Sequence, residues 1–347
     1  MREYLDFQDV LLLPEMFSRL NSRSQPQLHT SENSVPLSIA NMENIGTLKV
    51  AKIASARGWK TYIDKHVSII DWRTFIKESD WSLVKNVIPT FGFTDQDFAK
   101  MKEIWYLLSE KFVLCDKTVC FDLANGHSDN FWTSTIRFLR EAPFKNVIFG
   151  NLGNAETIHY LIAYLRARES FPNIKSIGLK FGIGSGSVCT TRLMTGVGAP
   201  QYSLICDARK QLEACKKENE KLFENVYIIS DGGIRNPGDV TKAFVAGAHE
   251  VMMGGMFAGL TETGNKFYGS SSEESKSYKP ENKYSSPEGK SVLISRNMSV
   301  EERITEIENG LRSAMTYLNI ACVDDLIKDY YYLQNNVVKV RRQTDNY

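Results

Sequence analysis

The sequence predicts a (β/α)8 barrel, and three observations carry that expectation. Strand-like apolar stretches alternate with helical ones about eight times along the chain, the pattern of a parallel sheet that most simply closes on itself. A length of 347 residues suits one such barrel, which runs to roughly 250 residues or more with insertions. The residues hardest to explain as packing (Lys65, Asp122, Asn151, Cys189, Asp231 and Gly254-Gly255) all fall just past the C-terminal ends of expected strands. In this barrel that face carries the active site, whereas the opposite face serves stability. No internal repeat divides the chain, so residues 1–347 read as a single domain with an N-terminal arm over 1–34.

The elements follow in order. The arm is extended, and Pro14 stops any helix there. Val35–Ala40 is a short apolar strand, followed by helical periodicity over Gly46–Arg57. Trp59–Ile63 is a strand ending at Asp64-Lys65, and Ile69–Ile76 is helical. Val84–Phe91 is a strand. Thr94, with Asp95 and Asp97 behind it, caps a helix that runs through Leu108. Val119–Leu123 leads through Ala124 to a helix ending at Arg140. Asn146–Phe149 precedes a helix over Ala155–Arg168, and His127 and Asn151 read as turn residues. Ile174–Phe181 leads into a glycine-rich loop, and Ser203–Phe223 is a charged amphipathic helix. Val226–Ile229, a helix from Pro237 to Ala246, and Glu250–Met253 complete the set.

Composition excludes several classes. Hydrophobic residues at 42% and charged residues at 24% are globular values, and a net charge of +1 gives no reason to expect nucleic acid or a charged membrane. No apolar run approaches the roughly 20 residues of a membrane span, and the N-terminus has no apolar signal segment. Six scattered cysteines without ligand spacing read as reduced thiols in a cytoplasmic protein rather than a zinc site.

The most informative stretch is residues 178–203, GLKFGIGSGSVCTTRLMTGVGAPQYS. Glycine at this density lets the backbone take positive φ and approach a ligand or ion closely. Cys189 within it reads as reactive, its thiolate favoured by nearby amides and by Arg192. The alternative from composition alone is a flexible loop with a buried thiol. The string GIGSGSVCTTR…TGVGAPQ resembles the catalytic cysteine loop of the IMP dehydrogenase/GMP reductase family, and DFQDVLLLP followed by Ser22-Arg23 resembles its N-terminal segment.

The resemblance implies a site. Ser230-Asp231-Gly232-Gly233 and Met253-Gly254-Gly255-Met256-Phe257 occupy the usual phosphate-binding loops of this barrel, with glycine amides aimed at an anion. Asp231 would then hold a ribose diol, with Ser187, Gly269, Ser270, Ser271 and Gly289 around the nucleotide, placing a purine beside Cys189. The positions that meet the dinucleotide in the family are Ser22, Arg23, Lys65, Asp122, Leu123, Ala124, Ile183, Gly184, Tyr284, Ser285, Ser313 and Thr316. There is no Rossmann fingerprint and none is implied. The carbonyls of Gly184, Gly186, Cys189 and Arg192 would hold a monovalent cation, potassium in the family, and the assembly implied is a homotetramer.

Two reactions share this machinery, and three features favour the reductase branch, which converts GMP and NADPH to IMP and ammonia. The strand–helix alternation leaves no room for the paired cystathionine-synthase-type modules usual in the dehydrogenases. The chain contains no Arg-Tyr dipeptide, which those enzymes use to activate water. Residues 267–291 resemble the reductase's short mobile flap (here about 265–296), whose acidic residue maps onto Glu288 and works with a threonine, here Thr191, on proton transfers. Composition alone would read that flap as a solvated surface loop. Three departures stand out: Ser270-Ser271 directly follows Gly269 where many reductases have YGMSS, Tyr284-Ser285 stands where many have Tyr-Arg, and the Gly-Gly-Ile-Arg-Asn-Pro loop after Asp231 is closer to the dehydrogenase version. The rival readings are an IMP dehydrogenase lacking its regulatory insert and a nucleotide-binding protein without turnover.

Overall fold

Eight parallel strands close into a barrel in the computed structural model, which describes residues 3–31, 33–142, 144–161, 174–269, 272 and 288–340. Strand β1 (Val10–Leu12) belongs to the arm. The barrel is β2 (Leu37–Ile39), β3 (Lys60–Ile63), β4 (Val87–Phe91), β5 (Thr118–Asp122), β6 (Asn146–Leu152), β7 (Ser176–Phe181), β8 (Val226–Asp231) and β9 (Glu250–Met253). Each pairs with its neighbour in sequence, and β9 closes on β2 with Leu37 opposite Val251. Helices between the strands cover the outside, several starting at side-chain caps. Thr94 and Asp97 form the expected capping box on helix Asp95–Lys111, and Asn236 with Asp239 caps Pro237–Ala246.

Most boundaries fall within a few residues of expectation, and the departures have local causes. The strand expected from Val84 begins at Val87, because Trp81–Val84 forms one helical turn. The helix expected over Ser203–Phe223 breaks at Asn219 into Gln201–Glu218 and Glu220–Phe223. Strand β6 runs on to Leu152, so Asn151 lies inside it rather than in a turn. Helical backbone begins at 157, and the remainder of the helix expected to Arg168 lies outside the described residues. Two hairpin-like pairings were not legible in the pattern. Strand β10 (Lys266–Tyr268) pairs antiparallel with β11 (Ser291–Leu293), and β1 pairs antiparallel with β12 (Val337–Lys339), tying the arm to the C-terminal segment.

The barrel interior is layered. At the N-terminal end Glu250, 2% exposed, accepts from Lys60 Nζ at 2.6 Å and Tyr62 Oη at 2.8 Å. Above it Ile88, Cys120, Ile148, Ile229 and Met252 form an apolar plug. Alternation along the strands then brings Asp122, two residues past Cys120, and Asp231, two residues past Ile229, to the C-terminal mouth. The floor of the site is therefore apolar and closely packed, and its rim is charged. No described helix is long and apolar enough to cross a membrane.

Candidate active site

Cys189 sits at the mouth on the loop after β7, in a turn closed by its own N–H donating to the Gly186 carbonyl at 3.0 Å. Its sulfur lies 3.1 Å from Thr191 Oγ1, and Thr191 Oγ1 donates to Glu288 Oε2 at 2.8 Å. A hydroxyl has one proton, and here it faces the carboxylate, so the thiol is the donor to threonine. The three groups form a chain: thiol to hydroxyl to carboxylate.

Glu288 is brought in by backbone pairing. Thr190 N–H donates to the Glu288 carbonyl at 2.9 Å, Lys290 N–H donates to the Val188 carbonyl at 2.9 Å, and Cys189 bridges Gly289. The β10–β11 pair anchors the base of this segment, and Gly289 packs against Gly269 and Ser272. Ser270, Ser271, Tyr284 and Ser285 lie outside the described residues.

Arg192 behaves differently from expectation. Its guanidinium pairs with Asp6 at 2.9 Å and donates to the Ala199 carbonyl, while its chain threads between Gly184 and Gly198. A Cβ on either glycine would lie 2.6 Å from Arg192 Cγ. The charge is thus tied to the arm rather than presented to the Cys189 sulfur. Asp6 also accepts from Gln201 N–H at 2.7 Å. The arm therefore fixes the cysteine loop from outside.

The two glycine loops abut the cysteine loop, Gly232 beside Ser185 and Gly255 beside Ser187. Gly232 and Gly233 have φ of 85° and 81°, a left-handed backbone that favours glycine at both positions. A Cβ on Gly232 would meet Ser185 Oγ at 2.6 Å, and one on Gly255 would meet Ser187 Oγ at 2.8 Å. A Cβ on Gly254 would meet Met42 Sδ at 2.6 Å. A side chain at any of these glycines would have to displace Ser185, Ser187 or Met42, so the loops pack closely against the cysteine loop and the end of β2.

The sequence reading missed the centre of the mouth. Lys180, on β7 and 1% exposed, contacts Asp122 Oδ1 and lies 3.2 Å from Asp231 Oδ2. Asn151 Nδ2 donates to Asp231 at 2.7 Å and to the Gly182 carbonyl at 2.9 Å, a positioning contact where a turn residue was expected. The only available signal was one lysine in the otherwise apolar run Ser-Ile-Gly-Leu-Lys-Phe. Burial pushes the Lys180 ammonium down in pKa, but Asp122 and then Asp231 more than restore it, so the group stays charged. Burial likewise pushes the Asp122 carboxyl up, and Lys180, with a hydrogen bond from Asn41, holds it below the usual aspartate value.

The cofactor positions divide into two groups. Leu123 and Ala124 follow Asp122 at the mouth, Lys65 follows β3, and Ile183 and Gly184 belong to the cysteine loop. His127 braces the same rim, its Nε2 accepting from Gly153 N–H at 3.0 Å. Ser22, Arg23, Ser313 and Thr316 lie elsewhere, where the arm crosses the last turns of helix Val300–Tyr317 on the barrel's outer layer. There Ser18 Oγ donates to the Thr316 carbonyl and Arg312 to the Pro26 carbonyl, before the chain enters β2 from its N-terminal end. A cavity of about 590 Å³ also lies away from the mouth, between the arm and helix Gln201–Glu218, lined by Tyr4, Tyr202, Cys206 and Lys210.

Residues 99–341 match the family model described as IMP dehydrogenase / GMP reductase domain. Among curated proteins, the chain is 35% identical to the GMP reductase of Aliivibrio fischeri (strain ATCC 700601 / ES114), over 99% of this chain and 96% of that protein. It is 36% identical to the GMP reductase of Vibrio parahaemolyticus serotype O3:K6 over the same shares. It is 35% identical to that of Yersinia pestis (strain Pestoides F), over 93% of this chain and 92% of that protein.

Proposed function

Because the chain belongs to the IMP dehydrogenase/GMP reductase family, we propose that it is a GMP reductase, an NADPH-dependent oxidoreductase that converts GMP to IMP and ammonia. The observation that carries this reading is the Cys189–Thr191–Glu288 chain, at 3.1 Å and 2.8 Å. A dehydrogenase must activate water at this point, whereas this chain links the nucleophile through a hydroxyl to a carboxylate that can take up its proton and return it.

The steps follow from that geometry. As the Cys189 proton moves to Thr191 Oγ1 and the threonine proton to Glu288, a thiolate and a carboxylic acid result. The thiolate adds to C2 of the purine. Glu288 returns a proton through Thr191 to the departing amine, which leaves as ammonia, and Cys189 remains bonded to C2. A reduced nicotinamide, when bound, supplies the hydride that replaces sulfur at C2. Cys189 leaves C2 as the thiolate, and a proton from solvent restores the resting thiol as IMP departs. Asp231 would grip the ribose, the amides of Gly232, Gly233, Gly254 and Gly255 the phosphate, and Ser187, Gly269 and Gly289 the walls.

The rim suits a dinucleotide. The Asp122 side chain is 25% exposed, an acceptor open to a ribose diol, with Lys65, Leu123, Ala124, Ile183 and Gly184 along the same edge. Potassium held by the Gly184, Gly186, Cys189 and Arg192 carbonyls is part of the proposal and rests on the family resemblance of the loop. So is a homotetramer. Ser22, Arg23, Ser313 and Thr316 can meet a dinucleotide only at a neighbouring subunit's mouth, and exposed Met16 and Phe17 offer that neighbour an apolar surface on the same arm. Residues 1–347 then act as one barrel unit with a flap over about 265–296. Six free cysteines favour a reducing, cytoplasmic setting.

The deciding experiment follows the absorbance of reduced nicotinamide in two cuvettes, one with GMP and NADPH, the other with IMP and NAD. Loss of signal in the first, with ammonia released, is expected, and Cys189→Ala should be silent there while still binding GMP. Signal gained only in the second cuvette would make the protein a dehydrogenase. Silence in both, with GMP bound, would leave a nucleotide-binding protein without turnover.

A further inference from the structure

The mouth of the barrel holds one buried cation between two carboxylates that the functional reading assigns to different ligands. Lys180 contacts Asp122, at the end of β5, and lies 3.2 Å from Asp231, at the end of β8. Each carboxylate keeps an open side, the Asp122 side chain being 25% and that of Asp231 17% exposed. The slot for the lysine is built into the sheet. On β6, a Cβ at Gly150 would lie 2.6 Å from Lys180 Cβ and 3.2 Å from its Cε, so only glycine admits the chain. Asn41 supports Asp122 on one flank, and Asn151 supports Asp231 on the other.

We propose that Lys180 is a shared positioning residue, a single buried cation that holds the substrate-side Asp231 and the cofactor-side Asp122 in place together. The inference rests on the assignment of Asp231 to the ribose of GMP and Asp122 to the dinucleotide. Two carboxylates at one low-dielectric mouth repel and draw protons, and a protonated or swung carboxyl cannot accept both hydroxyls of a diol. With the ammonium between them, the two like charges are balanced and the exposed side of each carboxylate stays turned outward. Losing Lys180 therefore damages two sites that share no ligand. Losing either aspartate damages chiefly its own.

Calorimetric titration of GMP and, separately, of NADP⁺ into the full-length protein tests this without relying on turnover. Asp231→Asn should weaken GMP binding and spare NADP⁺, and Asp122→Asn should do the reverse. Lys180→Met should weaken both by at least about tenfold, the scale of removing one partner of a buried charge pair. Lys180→Arg, which keeps the charge, should recover part of both. A folded Lys180→Met protein in which only one affinity changes, or neither, would overturn the inference. Should that variant fail to fold, Lys180→Met/Asp122→Asn removes the like-charge clash as well as the cation. Its GMP affinity should still fall well below that of Asp122→Asn alone, and equality would overturn the proposal. If the wild-type protein binds neither nucleotide, the functional reading falls and this inference with it. If it binds both, the variants judge the inference alone.

Discussion

At the scale of single residues, the site depends on which atom owns which proton. Thr191 can serve both Cys189 and Glu288 because a hydroxyl donates once and accepts besides. In the proposed reaction Cys189 starts as the donor, so Glu288 would act first as a carboxylate that takes the thiol's proton and then as the acid for the departing amine. Glu288→Gln removes both abilities while keeping shape and one hydrogen bond. It should lower kcat by about 10²–10⁴-fold, the usual worth of a positioned acid–base group, with little change in GMP affinity. Stopped-flow measurement of ammonia release would check this, and an unchanged rate would return Glu288 to the role of a flap residue that merely pairs its backbone with Thr190.

At the scale of elements, the mouth is assembled by strand register. Residue alternation on β5, β7 and β8 turns Asp122, Lys180 and Asp231 inward, above the apolar plug of Cys120, Ile148 and Ile229. Strand β6 contributes by omission, since Gly150 leaves space for the lysine's methylenes. Gly150→Ala would set a methyl 2.6 Å from Lys180 Cβ and 2.8 Å from the Lys180 carbonyl oxygen, a backbone atom that cannot step aside. We expect a loss of about 1–3 kcal/mol in urea unfolding, the range for overpacking a close-packed interior. Stability equal to wild type would mean that β6 and β7 can part locally, and would weaken the case for a lysine slot shaped by the sheet.

At the scale of the whole molecule, the barrel is buttressed away from its chemistry. Arg209, on helix Gln201–Glu218, lies 4.3 Å over the Tyr330 ring and donates to the Gly247 carbonyl, joining the outer helices to the turn before β9. His249 sits beside it. Burial first, and the Arg209 guanidinium second, push this histidine well below its usual value. The unfolded chain binds a proton near pH 6.5 that the folded chain refuses, so stability falls as pH drops below that value. The contribution is at most about 1.4 kcal/mol per pH unit. Urea unfolding at pH 7 and pH 5.5 should show a smaller acid loss in His249→Gln than in wild type. Equal losses would assign the pH dependence to other groups.

The barrel was legible in the sequence because alternating strands and helices carry their own periodicity, and because its loops concentrate glycine where backbone must approach a ligand. The cysteine loop and Asp231 could be singled out as candidates from local strings, because their motifs lie in consecutive residues. Tertiary structure alone decided the rest. Arg192 looked like a partner for Cys189 because it is three residues away, yet it reaches Asp6, 186 positions earlier, once the arm folds across the loop. Asn151 looked like a turn residue until β6 ran on and aimed it at Asp231. Lys180 is one polar residue in an apolar strand by sequence, and only the curvature of the sheet brings Asp122 of β5 and Asp231 of β8 to its ammonium. Sequence records which groups are available, and the partner of a charge is chosen by the distance that folding leaves between them.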